Sequence, residues 1–271
     1  MRPRVAMGKF LVRTGRFIQS LAVVVMRPRD LIEFTRLTYA HHQDIQGWAD
    51  KELVDSGLTP AEESLLKKIP LAEGRVLVLG SGGGREAIVL ARRGFDVTGV
   101  DNVVGMAEKA KENAAKRGLN VRFLVQDITK LDVPERSFDI VWLTAGLYSL
   151  IPTCKLRATL LERIGSALRE GGYCICGFYK NGDRRTTSQG AILRKIVQYV
   201  TLGNFHYEKG DILLADIEFA HAFSSEKELR DEFSRAGFDV LYLSFPGERG
   251  RGEAILKPVE MQDQVLRTVK G

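Results

Sequence analysis

The segment Val76-Leu77-Val78-Leu79-Gly80-Ser81-Gly82-Gly83-Gly84-Arg85-Glu86 constrains this chain more than any other part of it. Four consecutive apolar residues suit a strand buried on both faces of a parallel sheet, and such sheets are built from strand–helix–strand units. The run ends in glycines, and a helical pattern begins at Arg85. Glycine at such a turn lets a ligand approach bare backbone, because a Cβ would hold it away. A dinucleotide fingerprint starting at Gly80 requires glycine or alanine at position 85, where Arg85 stands. The frame Gly82-x-Gly84-x-x-Ala87 starts inside the helix entry, whereas Gly80-x-Gly82-x-Gly84 fits without shifting. Glu86 places a carboxylate beside the helix start, where it opposes a pyrophosphate. The loop therefore favours a ligand without phosphates. By itself it leaves a methyl-donor site, a dinucleotide site and a tight structural turn open.

The alternation continues past this turn. Phe95 to Val100 reads as a strand ending at Asp101, followed by a helix from about Val104 to Arg117. Asn120 to Val125, Phe138 to Leu143 and Tyr173 to Phe178 read as further strands. A helix of about Lys155 to Arg169 precedes the last of them and stops at Gly171-Gly172. Residues 180 to 222 break the rhythm with a polar loop, a helix-like piece from Ala191 to Leu202 and an extended stretch from Ile212 to Phe223. Ser225 then caps a helix, and Phe238 to Phe245 with Glu253 to Lys257 suggest a closing antiparallel hairpin. Upstream, residues 30 to 70 read as helical, with Thr59 as an N-cap and Pro60 in the first turn. These boundaries predict a basic arm and helical cap over residues 1–70, a main domain over 71–260 with an insertion at about 180–222, and a tail over 261–271.

The formal net charge of +6 belongs to the arm. Arg2, Arg4, Lys9, Arg13, Arg16, Arg27 and Arg29 precede the first acid, Asp30. Removing those seven from 40 basic residues leaves 33 against 34 acidic ones, so the body is neutral and is not built to grip nucleic acid. The longest apolar stretch, Phe17 to Met26, is too short to span a bilayer. Three readings of the arm stay open: a helix packed on the body, a peripheral membrane contact through residues 1–29, and a disordered tail. Cys154, Cys174 and Cys176 lack metal-ligand spacing, so reduced thiols in a cytoplasmic setting are expected and no metal is.

Two acids follow the glycine turn at informative places. Asp101 ends the second strand, 21 residues after Gly80, where a carboxylate can accept from both hydroxyls of an unphosphorylated ribose or cap the next helix. Gln126-Asp127-Ile128 follows the third strand; Asp127 can accept from an adenine amino group while Ile128 packs on the ring. Asp139, opening the fourth strand, reads as structural.

In this order and spacing, the glycine turn, Thr98-Gly99-Val100-Asp101, Gln126-Asp127-Ile128, Phe138-Asp139-Ile140-Val141-Trp142 and Leu168 to Gly172 resemble the class I S-adenosylmethionine-dependent methyltransferases. The resemblance covers residues 75–179, and Ala236-Gly237-Phe238 extends it toward residue 258. It implies a doubly wound α/β domain with a seven-stranded, mostly parallel sheet, the Rossmann-like methyltransferase fold, carrying an N-terminal helical extension. It also implies S-adenosylmethionine as cofactor, with S-adenosylhomocysteine as product, held by Gly80, Ser81, Gly82, Gly84, Asp101, Asn102, Asp127, Ile128 and Thr144. Many members carry an acid two residues before the first glycine. That place is Val78 here, and Glu86 is the alternative carboxylate.

Methyl transfer from a sulfonium needs alignment and exclusion of water more than it needs a particular nucleophile, and a base only if the acceptor holds a proton. Tyr148, His42 and His221 are the candidates for that role, with Tyr39, His41, Thr144, Tyr179 and His206 as further residues able to line an acceptor. Leu143-Thr144-Ala145-Gly146 is not the tetrapeptide seen in many nucleobase amino methyltransferases, and the body has no basic surplus. A small-molecule acceptor methylated on oxygen or nitrogen is therefore expected, with a protein or RNA reached through the basic arm as the alternative, and DNA is not expected. The rival readings are an NAD(P)-dependent oxidoreductase and a catalytically silent donor-binding adaptor.

Overall fold

The computed structural model describes residues 2–181, 188–215, 217–247 and 250–259. The tail expected over 261–271 and part of the polar loop after Lys180 lie outside the described residues.

The N-terminal region forms six helices: α1 (Pro3–Gln19), α2 (Ala22–Val25), α3 (Pro28–Tyr39), α4 (His42–Trp48), α5 (Lys51–Asp55) and α6 (Pro60–Leu66). Local chemistry fixes several ends. The Thr59 hydroxyl accepts from the Glu62 N–H at 3.3 Å while Glu62 accepts from the Thr59 N–H at 2.7 Å, with Pro60 in the first turn. The arm does not dock as one helix. It is the short α2 that packs, burying Val23 and Val24 beside Leu31 of α3.

The sheet domain follows in chain order: β1 (Arg75–Leu79), α7 (Arg85–Arg92), β2 (Asp96–Asp101), α8 (Val104–Ala115), β3 (Arg122–Val125), β4 (Phe138–Leu143), α9 (Cys154–Ala167) and β5 (Leu168–Lys180). Next come α10 (Ser188–Thr201), β6 (Asp211–Leu214), β7 (Glu218–Phe223), α11 (Glu226–Arg235), β8 (Phe238–Ser244) and β9 (Gly250–Pro258). Strands β3-β2-β1-β4-β5 are parallel neighbours, and β9 then runs antiparallel to both β5 and β8. These seven are the expected sheet. Two further strands correct the reading of Ile212 to Phe223 as one extended stretch. β6 and β7 pair as an antiparallel hairpin, and the end of β7 joins β5 in parallel through Tyr179↔Ala222 and Lys180↔Phe223. β4 matches β5 only as far as Leu143↔Cys176, so β7 takes the edge of β5 that lies past the end of β4. The helix expected to reach Arg169 ends at Ala167, because β5 starts at Leu168 to pair with Phe138.

Side-chain alternation distributes the core over both faces. Leu77 and Leu79 of β1 join one cluster with Leu160 and Ile164 of α9 and Phe233 of α11. Val76 and Val78 join the opposite cluster with Leu65, Leu66 and Ile88. Val78 is thus fully buried among apolar side chains. Each such large side chain contributes roughly 1.5–3 kcal/mol by leaving water. Cys174 and Cys176 share the first face, where burial raises both thiol pKa values, as expected of packing residues.

Candidate active site

The glycine turn is held from several sides. The Gly80 and Ser81 N–H groups donate to the Val100 carbonyl at 2.8 and 3.0 Å, and the Thr144 hydroxyl donates to the Gly80 carbonyl at 2.7 Å. Gly80, Gly82 and Gly84 take φ of +72°, +49° and +94°, the left-handed region that glycine enters without strain. A Cβ at Gly82 would meet nothing within 4 Å, so this stretch of backbone faces open space. Gly83 has a different requirement: a Cβ there would collide with the backbone of Trp48 and Ala49, where α4 ends against the turn. The Asn113 amide fastens the contact, donating to the Gly83 carbonyl at 3.0 Å and to the Ala49 carbonyl at 3.2 Å.

Asp101 has its two oxygens on separate tasks. Oδ2 accepts from the Gly82 N–H at 2.8 Å and Oδ1 from the Val103 N–H at 2.9 Å. The carboxylate therefore braces the glycine turn and the entry to α8 together. Burial raises its pKa against the lowering effect of these N–H groups.

A cavity of about 300 Å³ opens beside these groups, over the carboxyl ends of β1–β5 where the strand order reverses. Ligands of open parallel sheets bind at that edge. One side is formed by Gly80, Gly82, Asp101, Asn102, Asp127 and Ile128, with Met106 and Thr129 between them. Asp127 caps a single helical turn through the Thr129 N–H at 2.9 Å and hydroxyl at 2.7 Å. Thr144 to Leu147 line the floor after β4. The other side is formed by Tyr39 and Trp48 from the N-terminal helices, Tyr179 from β5, Glu218 from β7 and Arg251 from β9.

Seven of the nine expected cofactor positions border this cavity; Ser81 and Gly84 do not. The Ser81 side chain is buried with no hydrogen-bond partner for its hydroxyl among the described residues, and Gly84 packs on Ala110 at the start of α7. Two catalytic candidates sit elsewhere. Tyr148 is wholly buried between Phe223 and Phe233, its hydroxyl donating to Glu232 at 2.5 Å, because the turn after β4 directs it into the core. His221 is buried under the β6–β7 hairpin, with Nδ1 2.9 Å from Asp211 Oδ1 and Nε2 3.8 Å from Glu228. Neither borders the cavity. His42 opens α4, and its side chain lies outside the described residues. Glu86, the alternative to an acid at position 78, is also turned away. It pairs at 2.5 Å with Arg85, which reaches Glu62 of α6 at 2.8 Å, and burial raises its pKa.

Glu208, Asp211 and His221 bring ligand-type atoms within 4.8 Å of one another. Those atoms already have partners. Glu208 takes Arg157 at 2.8 Å and the Cys154 N–H at 2.6 Å, and Asp211 takes His221 and the Glu208 N–H at 2.8 Å.

Glu218 and Arg251 were not singled out from the sequence. The Tyr39 hydroxyl donates to Glu218 at 2.6 Å, and burial raises the pKa of both groups. The sequence signal for Glu218 is an acid inside the stretch Ile212 to Phe223, two residues after Asp216, and such a pair ordinarily means a solvated turn.

Residues 76–172 match a family model described as a methyltransferase domain. Over these residues the chain carries a methyltransferase domain, and its resemblance is to the class I S-adenosylmethionine-dependent enzymes. The oxidoreductase alternative is set aside by that match. A ubiquinone biosynthesis O-methyltransferase of Coxiella burnetii is 37% identical over 75 residues, covering 28% of this chain and 32% of that protein. A 23S rRNA (uracil(1939)-C(5))-methyltransferase of Salmonella choleraesuis is 43% identical over 77 residues, covering 27% and 18%. The chain thus spans about a third or less of these relatives. A methyltransferase structure from Methanosarcina mazei superposes with a TM-score of 0.57 at 22% identity, covering 75% of this chain and all of that one. The chain shares the fold of that structure. The cofactor of the family is S-adenosylmethionine, and the residues fit it: bare backbone at Gly82, a carboxylate at Asp101 and an apolar shelf of Met106 and Ile128.

Proposed function

We propose that this methyltransferase domain moves the methyl group of S-adenosylmethionine to an oxygen or nitrogen of a small-molecule acceptor held under α3 and the β6–β7 hairpin. One observation carries the reading: a single cavity joins the glycine turn and Asp101 to Tyr39, Tyr179 and Glu218. In this proposal Gly80, Gly82 and Thr144 border the amino-acid part of the donor, Asp101 and Asn102 its ribose, and Asp127 with Ile128 its adenine. Ser81 and Gly84 shape the turn without touching the donor.

A sulfonium methyl is already activated, because its leaving group is a neutral thioether. The chain then has three tasks: to align the acceptor, to keep water out and to take a proton if the acceptor carries one. Leu147, Leu150 and Ile151 supply an apolar wall. Glu218 is the proton acceptor in this proposal, positioned by the Tyr39 hydroxyl. An acceptor of modest size fits the cavity and the neutral body, and Arg251 is the one basic side chain among the described residues that line it, which does not favour an RNA acceptor.

Calorimetric titration with S-adenosylmethionine, S-adenosylhomocysteine and NADH tests the donor site. Micromolar binding of both sulfur ligands and none of NADH is expected. A labelled-donor screen against phenols, amines and RNA then tests the acceptor class. Donor binding without turnover of any of them favours a silent adaptor.

A further inference from the structure

The first 29 residues carry seven basic side chains and no acid, and the structure presents most of them on a helix that the body leaves uncovered. Along α1, Phe10 is 66% exposed and Ile18 is 61% exposed. At about 100° per residue, Met7, Phe10, Leu11 and Ile18 fall on one face, with Arg4 and Arg13 on its two sides. A helix of this length is marginal in water on its own, and covering its apolar face would stabilise it.

A second helix repeats the arrangement. On α10, from the insertion, Ile192, Ile196, Tyr199 and Val200 point to solvent, the last two being 69% and 79% exposed. Its opposite face packs inward through Val197 onto Val23 and Val24 of α2. The two segments are also fastened by polar contacts. Arg194 donates to the Ser20 hydroxyl at 3.4 Å, and the Arg27 guanidinium donates twice to the Leu202 carbonyl, at 3.1 and 3.0 Å. Between residues 180 and 200, Lys180, Arg184, Arg185, Arg194 and Lys195 stand against one acid, Asp183.

Charge complementarity selects the occupant. A second copy of the chain would set cations against cations. A nucleic acid would leave the exposed Phe, Ile, Tyr and Val side chains without a partner. Large apolar side chains rimmed by cations and free of acids match a lipid surface with anionic headgroups, which takes the apolar face into the headgroup boundary and pairs with the rim. No helix among the described residues is long and apolar enough to cross a membrane, so the contact is one of lying in the interface. We propose that α1 and α10 together form a docking surface for an anionic bilayer. The proposal does not depend on the methyl-transfer reading.

Flotation of the full chain with vesicles tests it. Vesicles of phosphatidylcholine with about a third phosphatidylglycerol should carry the protein up a density gradient at low salt, and binding to pure phosphatidylcholine should be at least about tenfold weaker. The double variant Phe10→Glu/Leu11→Glu on α1, and separately Ile196→Glu/Val200→Glu on α10, should each weaken flotation by about tenfold. Unfolding midpoint and S-adenosylhomocysteine affinity should stay at wild-type values in both, because all four side chains are exposed. Absence of flotation, equal binding to neutral vesicles, or loss confined to the α1 variant would overturn the proposal. So would a dimer dispersed by the same variants in a protein that ignores vesicles.

Discussion

The Tyr39 hydroxyl donates to Glu218 Oε2 at 2.6 Å, joining the last residue of α3 to the first residue of β7 across 179 positions of chain. Two regions outside the matched domain therefore meet at the cavity wall. Burial raises the pKa of Glu218, so its carboxylate gains a proton more readily than an exposed glutamate does.

Methyl transfer should depend on that carboxylate. With an acceptor that ionises, the rate should rise with pH through a value above the ordinary glutamate 4.5. Glu218→Gln should lower kcat by roughly 10²- to 10⁴-fold and flatten the profile. Tyr39→Phe should give a smaller loss. The pH profile of kcat, measured beside donor affinity by calorimetry, separates this from a structural effect, since donor affinity should hold.

Asp101→Ala should weaken S-adenosylhomocysteine binding by about 2 kcal/mol or more, through loss of charge-assisted hydrogen bonds and of the brace on Gly82. Isothermal titration checks it, with circular dichroism to confirm the fold. Unchanged affinity in a folded variant would remove Asp101 from the donor site.

Arg157 is buried between Glu232, at 2.7 Å, and Glu208, at 2.8 Å, and ties α9 to α11 and to the insertion. Arg157→Ala leaves Glu232 buried without its counter-ion and should cost about 3–5 kcal/mol of stability in urea denaturation. Replacing Arg157 and Glu232 together with apolar residues should recover a large part of that loss.

His221 adds a pH dependence. Burial disfavours its charged form, yet the hydrogen bond with Asp211 and the nearby Glu228 carboxylate outweigh burial and raise its pKa above 6.5. A histidine pKa raised in the folded state stabilises fully below the unfolded value and loses that contribution as pH climbs through the folded one. Denaturation of His221→Gln beside wild type at pH 6 and pH 9 should show the larger destabilisation at pH 6. An equal difference at both would assign His221 a packing role only.

The parallel core was legible because its signals are local. Val76 to Leu79 is apolar on both faces, and Gly80, Gly82 and Gly84 after it stand where φ is positive. Tyr148 misled for an equally local reason. Its place after β4 is where ligands are bound, but the chain turns there through a short helix that points the ring into the core. Ser81 and Gly84 belong to the motif, yet the turn rotates them away from the cavity.

The sequence by itself determined the strand–helix rhythm, the glycine turn with its two following acids, and the placement of the net positive charge in the arm. Each is a property of neighbouring residues, governed by backbone sterics, side-chain period or simple count. Only the tertiary structure decided that Tyr39, Trp48, Glu218 and Arg251 face the same space, and that α1 and α10 are linked through α2. Those meetings depend on how far β5 outruns β4 and on where the inserted hairpin attaches to it. That is a matter of pairing between distant segments, which no local period encodes.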